Sequence, residues 1–121
     1  MPKPFDIRER AFLFACDILS AFPPTRPLDP PSWRVWCQLI ASGTSVGAHL
    51  EEADAASSRA HFVALNRGAL RELRETRCWL RLVSAAQLRG HERTAGLEKE
   101  AGELVAIMVT IIKRASAGKK L

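Results

Sequence analysis

The sequence predicts an all-α protein, specifically an antiparallel up-down-up-down four-helix bundle. Three observations lead to this prediction. Four segments carry apolar residues at helical spacing, and no segment shows the two-residue alternation of a strand. The last three segments are connected by short loops. With 121 residues, 47% of them hydrophobic, the chain can bury one core but not two. We therefore predict a single domain over residues 1–121. Its four helices are predicted at about residues 5–22, 31–55, 58–88 and 92–115.

The first two predicted helices are separated by a proline-rich connection over residues 23–31. Apolar side chains recur at helical spacing from Phe5 to Phe22 and define the first helix. The prolines that follow keep the chain extended, because proline has no backbone donor and restricts the residue before it. The second helix can begin with Pro30 or Pro31 in its first turn, where proline is tolerated, and with Asp29 as its cap.

Ser57 and Ser58 mark the start of the third predicted helix, since serine hydroxyls can cap free backbone amides. Gly90 is its predicted stop signal. The fourth helix has one narrow apolar stripe, which is typical of a helix packed on a single core. The stripe consists of Leu97, Ala101, Leu104, Val105, Met108, Ile111 and Ile112.

Two glycines lie on the inward side of the second helix. At 100° per residue, Gly43 and Gly47 share this side with Val46 and Leu50. Glycine costs about 1 kcal/mol relative to alanine inside a helix, so the pair indicates a backbone packed close by. Two interpretations stay open and can both hold: a close crossing inside the bundle, or a helix thin enough at Gly43, Gly47 and Ala48 to receive a second subunit.

Five arginines occupy about one third of the wheel of the third helix, opposite its apolar side. We call this set the arginine ridge; it consists of Arg67, Arg71, Arg74, Arg77 and Arg81. One interpretation is a solvated face supported by pairs such as Arg71 with Glu75, each contributing about 0.2–0.5 kcal/mol. The other is a surface that contacts phosphates or an acidic partner, which the net charge of +5 permits.

Two glutamates lie at the margins of apolar helix faces. Glu51 is beside Trp33 on the second helix, and Glu72 is among apolar positions of the third. A carboxylate in such surroundings needs a partner. We therefore predict structural ion pairs at both, with Arg34 or Arg59 as the partner of Glu51.

No catalytic centre, metal site or cofactor is predicted. Di-iron bundles need several inward Glu-x-x-His sets, and none occurs here. The three cysteines lack the paired spacing of a zinc site and are predicted to be buried free thiols; they are Cys16, Cys37 and Cys78. The early charged residues argue against a secretory signal, and no apolar run has the length of a membrane span. We expect a cytoplasmic, non-enzymatic protein without a membrane partner.

Two stretches resemble a known family. In the second helix, Ser45-Val46-Gly47-Ala48-His49-Leu50-Glu51-Glu52 is similar to a run of serine, isoleucine, glycine, alanine and asparagine that ends in acidic residues, although His49 replaces the asparagine. In the third, Phe62 is followed by Ala69-Leu70-Arg71-Glu72 and by Glu75-Thr76-Arg77-Cys78-Trp79-Leu80, with cysteine in place of an aromatic residue. Over nearly its whole length the chain resembles the four-helix-bundle proteins related to the 23S ribosomal RNA intervening-sequence protein.

The resemblance implies a cyclic homo-oligomer, a pentamer, with RNA association and no established reaction. It extends to the accessory variability proteins of retroelements, which implies a polymerase as a further partner; a ribosomal partner is equally open. The combined prediction is a non-enzymatic homo-oligomer that binds structured RNA or another polyanion through the arginine ridge, without base-specific readout. The alternative is a protein–protein scaffold or reverse-transcriptase accessory protein with no RNA specificity of its own.

Overall fold

The computed structural model describes residues 6–118, which form four α-helices. These are α1 (Ile7–Ala21), α2 (Pro30–Asp54), α3 (Arg59–Ala85) and α4 (Ala95–Ser116). Each helix packs on the next in chain order, and α4 returns to α1. The predicted four-helix bundle is confirmed, and the described part of the chain contains no strand. The predicted start of the first helix at Phe5 lies outside the described residues.

The core is formed by one apolar stripe from each helix, as the helical spacing predicts. Its most deeply buried large side chains are Phe14, Ile18, Trp36, Leu39, Leu73, Leu80, Leu104 and Met108. The hydroxyls of Ser42 and Thr76 lie between α2 and α3, with their oxygens 2.9 Å apart. Each is also within hydrogen-bonding distance of a carbonyl of its own helix, so these two buried hydroxyls are satisfied. None of the helices in residues 6–118 combines the length and apolar character required to cross a bilayer.

Aspartates cap the first two helices. Asp6 accepts a hydrogen bond from the Arg8 backbone N–H at 2.9 Å, and Asp29 accepts one from the Ser32 N–H at 3.1 Å. The Arg8 side chain lowers the pKa of Asp6, and the Ser32 backbone N–H lowers the pKa of Asp29. Both carboxylates are thus stabilised in their charged form in the folded protein.

We expect the free energy of unfolding to fall as the pH drops below about 4. A carboxyl whose pKa is lowered by folding stabilises the protein fully above its unfolded pKa of about 3.9, and the contribution is lost as the pH falls through the folded pKa. Urea unfolding across pH 3–7, followed by circular dichroism, measures this loss. Asp29→Asn keeps a capping side chain without the titration, so its profile should be flatter; an unchanged profile contradicts the assignment to Asp29.

The third helix ends at Ala85, three residues before the predicted end, because Gln87 adopts a left-handed backbone with φ of 51°. The Gln87 N–H donates to the Ser84 carbonyl at 3.2 Å, and the Leu88 N–H donates to the Val83 carbonyl at 3.0 Å. This pair of bonds is a Schellman ending. Here the left-handed residue is glutamine rather than the usual glycine. The sequence therefore carries no glycine signal at the position where the helix ends.

Gly90, the predicted stop signal, instead lies in the loop after α3, with φ of +85°. The loop is held by the start of α2: the Trp36 indole N–H donates to the Arg89 carbonyl at 2.6 Å, and the Arg89 N–H donates to the Ser32 hydroxyl at 2.9 Å. A short 3₁₀ turn, His91–Arg93, follows. As a result α4 begins at Ala95 rather than near residue 92.

Candidate nucleic-acid interface

All five side chains of the arginine ridge are exposed on the outer side of α3. The opposite side of the helix is fully buried, with Ala69, Leu73 and Leu80 each at 0% exposure. One amphipathic helix therefore places its apolar residues in the core and its guanidinium groups in solvent. This arrangement matches the positions predicted from the wheel; the binding role of the ridge stays a prediction.

Three shallow depressions follow the ridge along α3 and the neighbouring side of α4. One of about 470 Å³ runs from Arg67 to Arg74 and is lined also by Ile112 of α4. A second, of about 360 Å³, continues from Arg74 to Arg81. A third, of about 510 Å³, extends from Arg67 back to Arg59. Because neighbouring depressions share an arginine, they form one arginine-lined surface from Arg59 to Arg81.

No ridge guanidinium has an ion-pair partner within 4.0 Å among residues 6–118. The Arg71–Glu75 pair, which the sequence permitted, does not form. Glu75 lies on the same exposed side of α3 but makes no pair with any ridge arginine. A ligand can therefore bind these guanidinium groups without breaking an ion pair inside the protein.

Arginines elsewhere are mostly engaged inside the chain. Arg10 donates to both Glu100 and Glu103 at 2.8 Å and ties α1 to α4 in a partly buried bridge. Four of the seven other arginines outside the ridge contact carboxylates, backbone carbonyls or an aromatic ring: they are Arg8, Arg26, Arg89 and Arg93. The contrast identifies the ridge as a set of cations that folding leaves unused.

The two glycines of α2 have different surroundings. A Cβ on Gly43 would collide with the Ile18 side chain of α1 and lie 3.7 Å from the Thr76 methyl of α3. Gly43 thus marks a close crossing inside the bundle. A Cβ on Gly47 would meet nothing within 4 Å, and Ala48 is exposed. The predicted close packing at Gly47 is therefore wrong within the chain, because that side of α2 faces outward.

The ion pairs predicted at Glu51 and Glu72 do not form among residues 6–118. Glu51 is exposed, and the nearby Arg8 pairs instead with Asp54 at 2.8 Å. Glu72 is half-buried, and its carboxylate oxygens are not among the buried atoms that lack a partner. Water can therefore solvate both groups, which removes the need for a counter-charge.

The cysteines are free, but none of the three is fully buried as predicted. Cys16 is half-buried, whereas Cys37 and Cys78 are exposed. Their positions explain this, because Cys37 lies on the outer side of α2 and Cys78 lines the same depression as Arg74 and Arg81. Within residues 6–118 no cluster of three or more histidine, cysteine or acidic side chains has the geometry to hold a metal ion.

Exposed large apolar side chains are the feature that sequence reasoning missed. Phe12 and Leu19 of α1 are 59% and 52% exposed, and Trp33 of α2 is 49% exposed. A signal was present, because Ala11, Phe14 and Ile18 already form the buried stripe of α1 and leave Phe12 and Leu19 on another side. The sequence prediction treated every apolar residue of α1 as part of the core, so it did not recognise this second, exposed side.

Two comparisons with known proteins give matches. A family model described as 23S rRNA-intervening sequence protein matches residues 3–110. A solved structure from Bacteroides thetaiotaomicron VPI-5482, a protein with unknown function from the S23 ribosomal protein family, has a TM-score of 0.77 and 27% sequence identity. The match covers 89% of this chain and 99% of that one. A comparison with curated proteins gives no match.

Proposed function

This chain belongs to the 23S rRNA-intervening sequence protein family, and on that premise we propose that it is a non-enzymatic, self-associating protein that binds structured RNA along the arginine ridge. The observation that carries the proposal is the absence of internal ion pairs at the five ridge arginines within residues 6–118. A helix that exposes five unpaired guanidinium groups on one side is suited to a ligand with many phosphates.

The chemistry of the ridge favours phosphate over other anions. A guanidinium group presents a planar fork of donors that matches phosphate oxygens. From Arg67 to Arg81 the ridge spans about 21 Å of helix, or one guanidinium for about every 5 Å. A nucleic-acid strand in a duplex carries one phosphate per about 3.4 Å, so each arginine can reach a phosphate of its own. Contacts of this kind fix position and carry no sequence information.

We expect the affinity for an RNA hairpin to fall steeply with salt. Five phosphate contacts give a slope of log K against log salt of about −3.5 to −4.5, because each contact releases condensed counterions. Fluorescence anisotropy with a labelled hairpin between 50 and 300 mM KCl measures the slope. A flat dependence, or no binding at the lowest salt, would contradict the proposal. Competition by heparin at equal charge tests whether RNA is preferred over another polyanion.

A protein–protein scaffold is the second candidate, and the exposed Phe12, Leu19 and Trp33 favour it. Light scattering with and without RNA separates the two functions. A solution mass that increases by bound RNA only at low salt supports RNA binding. A mass that RNA does not change supports the scaffold. The same measurement gives the number of subunits, for which the family resemblance predicts five. The cytoplasmic location and a polymerase or ribosomal partner stay predictions.

A further inference from the structure

One carboxylate lies within the arginine ridge. Among the described residues, only Glu75 brings a negative charge into the three depressions that follow the ridge. Its side chain is exposed and makes no ion pair among residues 6–118. A phosphate seated beside Glu75 would be repelled, because both groups are negatively charged. Glu75 therefore indicates that the ligand presents a hydrogen-bond donor, and not a phosphate, at this point of the ridge.

The depression with this carboxylate has an apolar floor. It opens over α3 between Arg67 and Arg74, which lie about two helical turns apart, and Arg71 completes its rim. Leu70 and, from α4, Ile112 form the floor, and each of them is 9% exposed. The volume of about 470 Å³ falls within the range of about 300–1,000 Å³ that is typical of sites for small organic groups. The depression thus suits a flat group with apolar faces and a polar edge.

An unpaired nucleobase has this combination of surfaces. Proteins recognise such bases by contact with their faces, including stacking on guanidinium groups, and by hydrogen bonds to their Watson–Crick edges. Guanine is the base whose edge presents two neighbouring donors, N1–H and N2–H, and one carboxylate can accept both. Each of the other three bases places an acceptor next to its donor, which a carboxylate repels. In a duplex these edges are occupied by pairing, so the guanine has to be unpaired.

The spacing of the arginine ridge also fits an unstacked strand. Its guanidinium groups follow one another at about 5 Å along the helix, whereas a stacked strand carries one phosphate per about 3.4 Å. A strand that turns a base outward loses its stacking at that nucleotide and can extend to the wider spacing. We therefore expect a loop of the structured RNA, and not its stem, on this part of the ridge.

We propose that the depression between Arg67 and Arg74 binds one unpaired guanine of an RNA loop. The base lies on Leu70 and Ile112, and its N1–H and N2–H groups donate to the Glu75 carboxylate. The proposal rests on the RNA-binding function and names the segment of RNA that the ridge takes. It goes beyond the sequence-based expectation of no base readout, because phosphate contacts alone carry no sequence information.

The test is Glu75→Gln, which keeps the shape of the side chain and removes its charge. On a surface that contacts only phosphates, loss of a negative charge strengthens RNA binding; at a guanine site it weakens binding, so the two cases differ in sign. Anisotropy compares two hairpins with the same stem and a uridine loop that contains one guanine or, in the second hairpin, one adenine. The parental protein should bind the guanine hairpin about tenfold more tightly, as is typical of one bidentate contact to a base. Glu75→Gln should lose this preference and bind the guanine hairpin about tenfold less tightly than the parent.

Glu52→Gln is the matched control, because Glu52 is exposed on α2 and lines none of the three depressions along the ridge. It makes the same change in charge and should leave the guanine preference as in the parent. Both variants should show the parental helix content by circular dichroism, since both side chains are exposed. Tighter or unchanged binding of the guanine hairpin by Glu75→Gln overturns the proposal, as does an equal loss in Glu52→Gln.

The parental measurements keep this proposal separable from the RNA-binding function. Binding of both hairpins with equal affinity and the salt slope of the ridge supports the function and overturns the guanine site. No binding of either hairpin overturns both. A guanine preference that Glu75→Gln removes without changing the salt slope supports both, because the arginines are intact.

Free guanosine monophosphate presents the same base and a phosphate, so it is added as a competitor. We expect millimolar guanosine monophosphate to leave the guanine hairpin bound, because a single phosphate engages only part of the ridge. Displacement at micromolar concentration would show that the depression holds a free nucleotide, and would overturn its assignment to an RNA loop.

Discussion

Reversing Arg74 and Arg81 together to glutamate is expected to weaken hairpin binding roughly 100-fold or more at 0.1 M salt. A slope of about 0.9 per phosphate contact corresponds to roughly a tenfold contribution from each contact at that salt, and reversal adds repulsion to the loss. The salt slope itself should fall by about 2. Both side chains are exposed and unpaired among residues 6–118, so the fold should lose little stability.

The matched control reverses Lys99 and Arg114, which are exposed on α4 and lie outside the ridge. This variant changes the net charge by the same amount, so any effect that depends only on total charge appears equally in both proteins. We expect a loss of only a few-fold in the control, because exposed charges that do not contact the RNA are largely screened at 0.1 M salt. Equal losses in the two variants would show that binding follows net charge and not the ridge. Light scattering on both variants confirms that the assembly is intact.

The arginine ridge could be predicted from the sequence because it lies on one helix, where the period of 3.6 residues determines which side chains share a side. The close packing at Gly43 could be predicted for the same reason. What the wheel could not give is the orientation of α2 toward α1. Gly47 lies one turn from Gly43, yet its Cβ position is open while that of Gly43 is blocked by Ile18. That difference depends on how the two helices cross, which no local pattern encodes.

Polar contacts between residues far apart in the chain could not be predicted from the sequence either. Arg10 lies 90 residues from Glu100, and their bridge forms only because α1 and α4 become neighbours when the bundle closes. The ion pairs predicted at Glu51 and Glu72 failed for the converse reason: the wheel places both at a margin but does not say how much water reaches them. Pairing of surface charges thus follows from tertiary packing, whereas their grouping on a helix side follows from sequence.

Gly90→Ala is expected to lower the free energy of unfolding by about 3 kcal/mol. Two terms contribute: a left-handed backbone costs a residue with a Cβ about 1–2 kcal/mol, and overpacking costs about 1–3 kcal/mol. The observed φ of +85° supplies the first. A Cβ 2.9 Å from Pro23 Cγ and 3.0 Å from Trp36 Cζ2 supplies the second, because Trp36 is fully buried and cannot move aside. Urea unfolding followed by circular dichroism measures the change.

Gly102→Ala is the control that separates this position from glycine in general. Gly102 lies inside α4, and a Cβ there meets nothing within 4 Å. Alanine should therefore raise the free energy of unfolding by up to about 1 kcal/mol, since glycine is the poorer helix former. Opposite signs for the two variants would show that Gly90 is required by the left-handed loop that packs on Trp36. A loss below about 1 kcal/mol at Gly90 would show instead that the loop yields, and that the hydrogen bond from Trp36 to Arg89 does not fix its path.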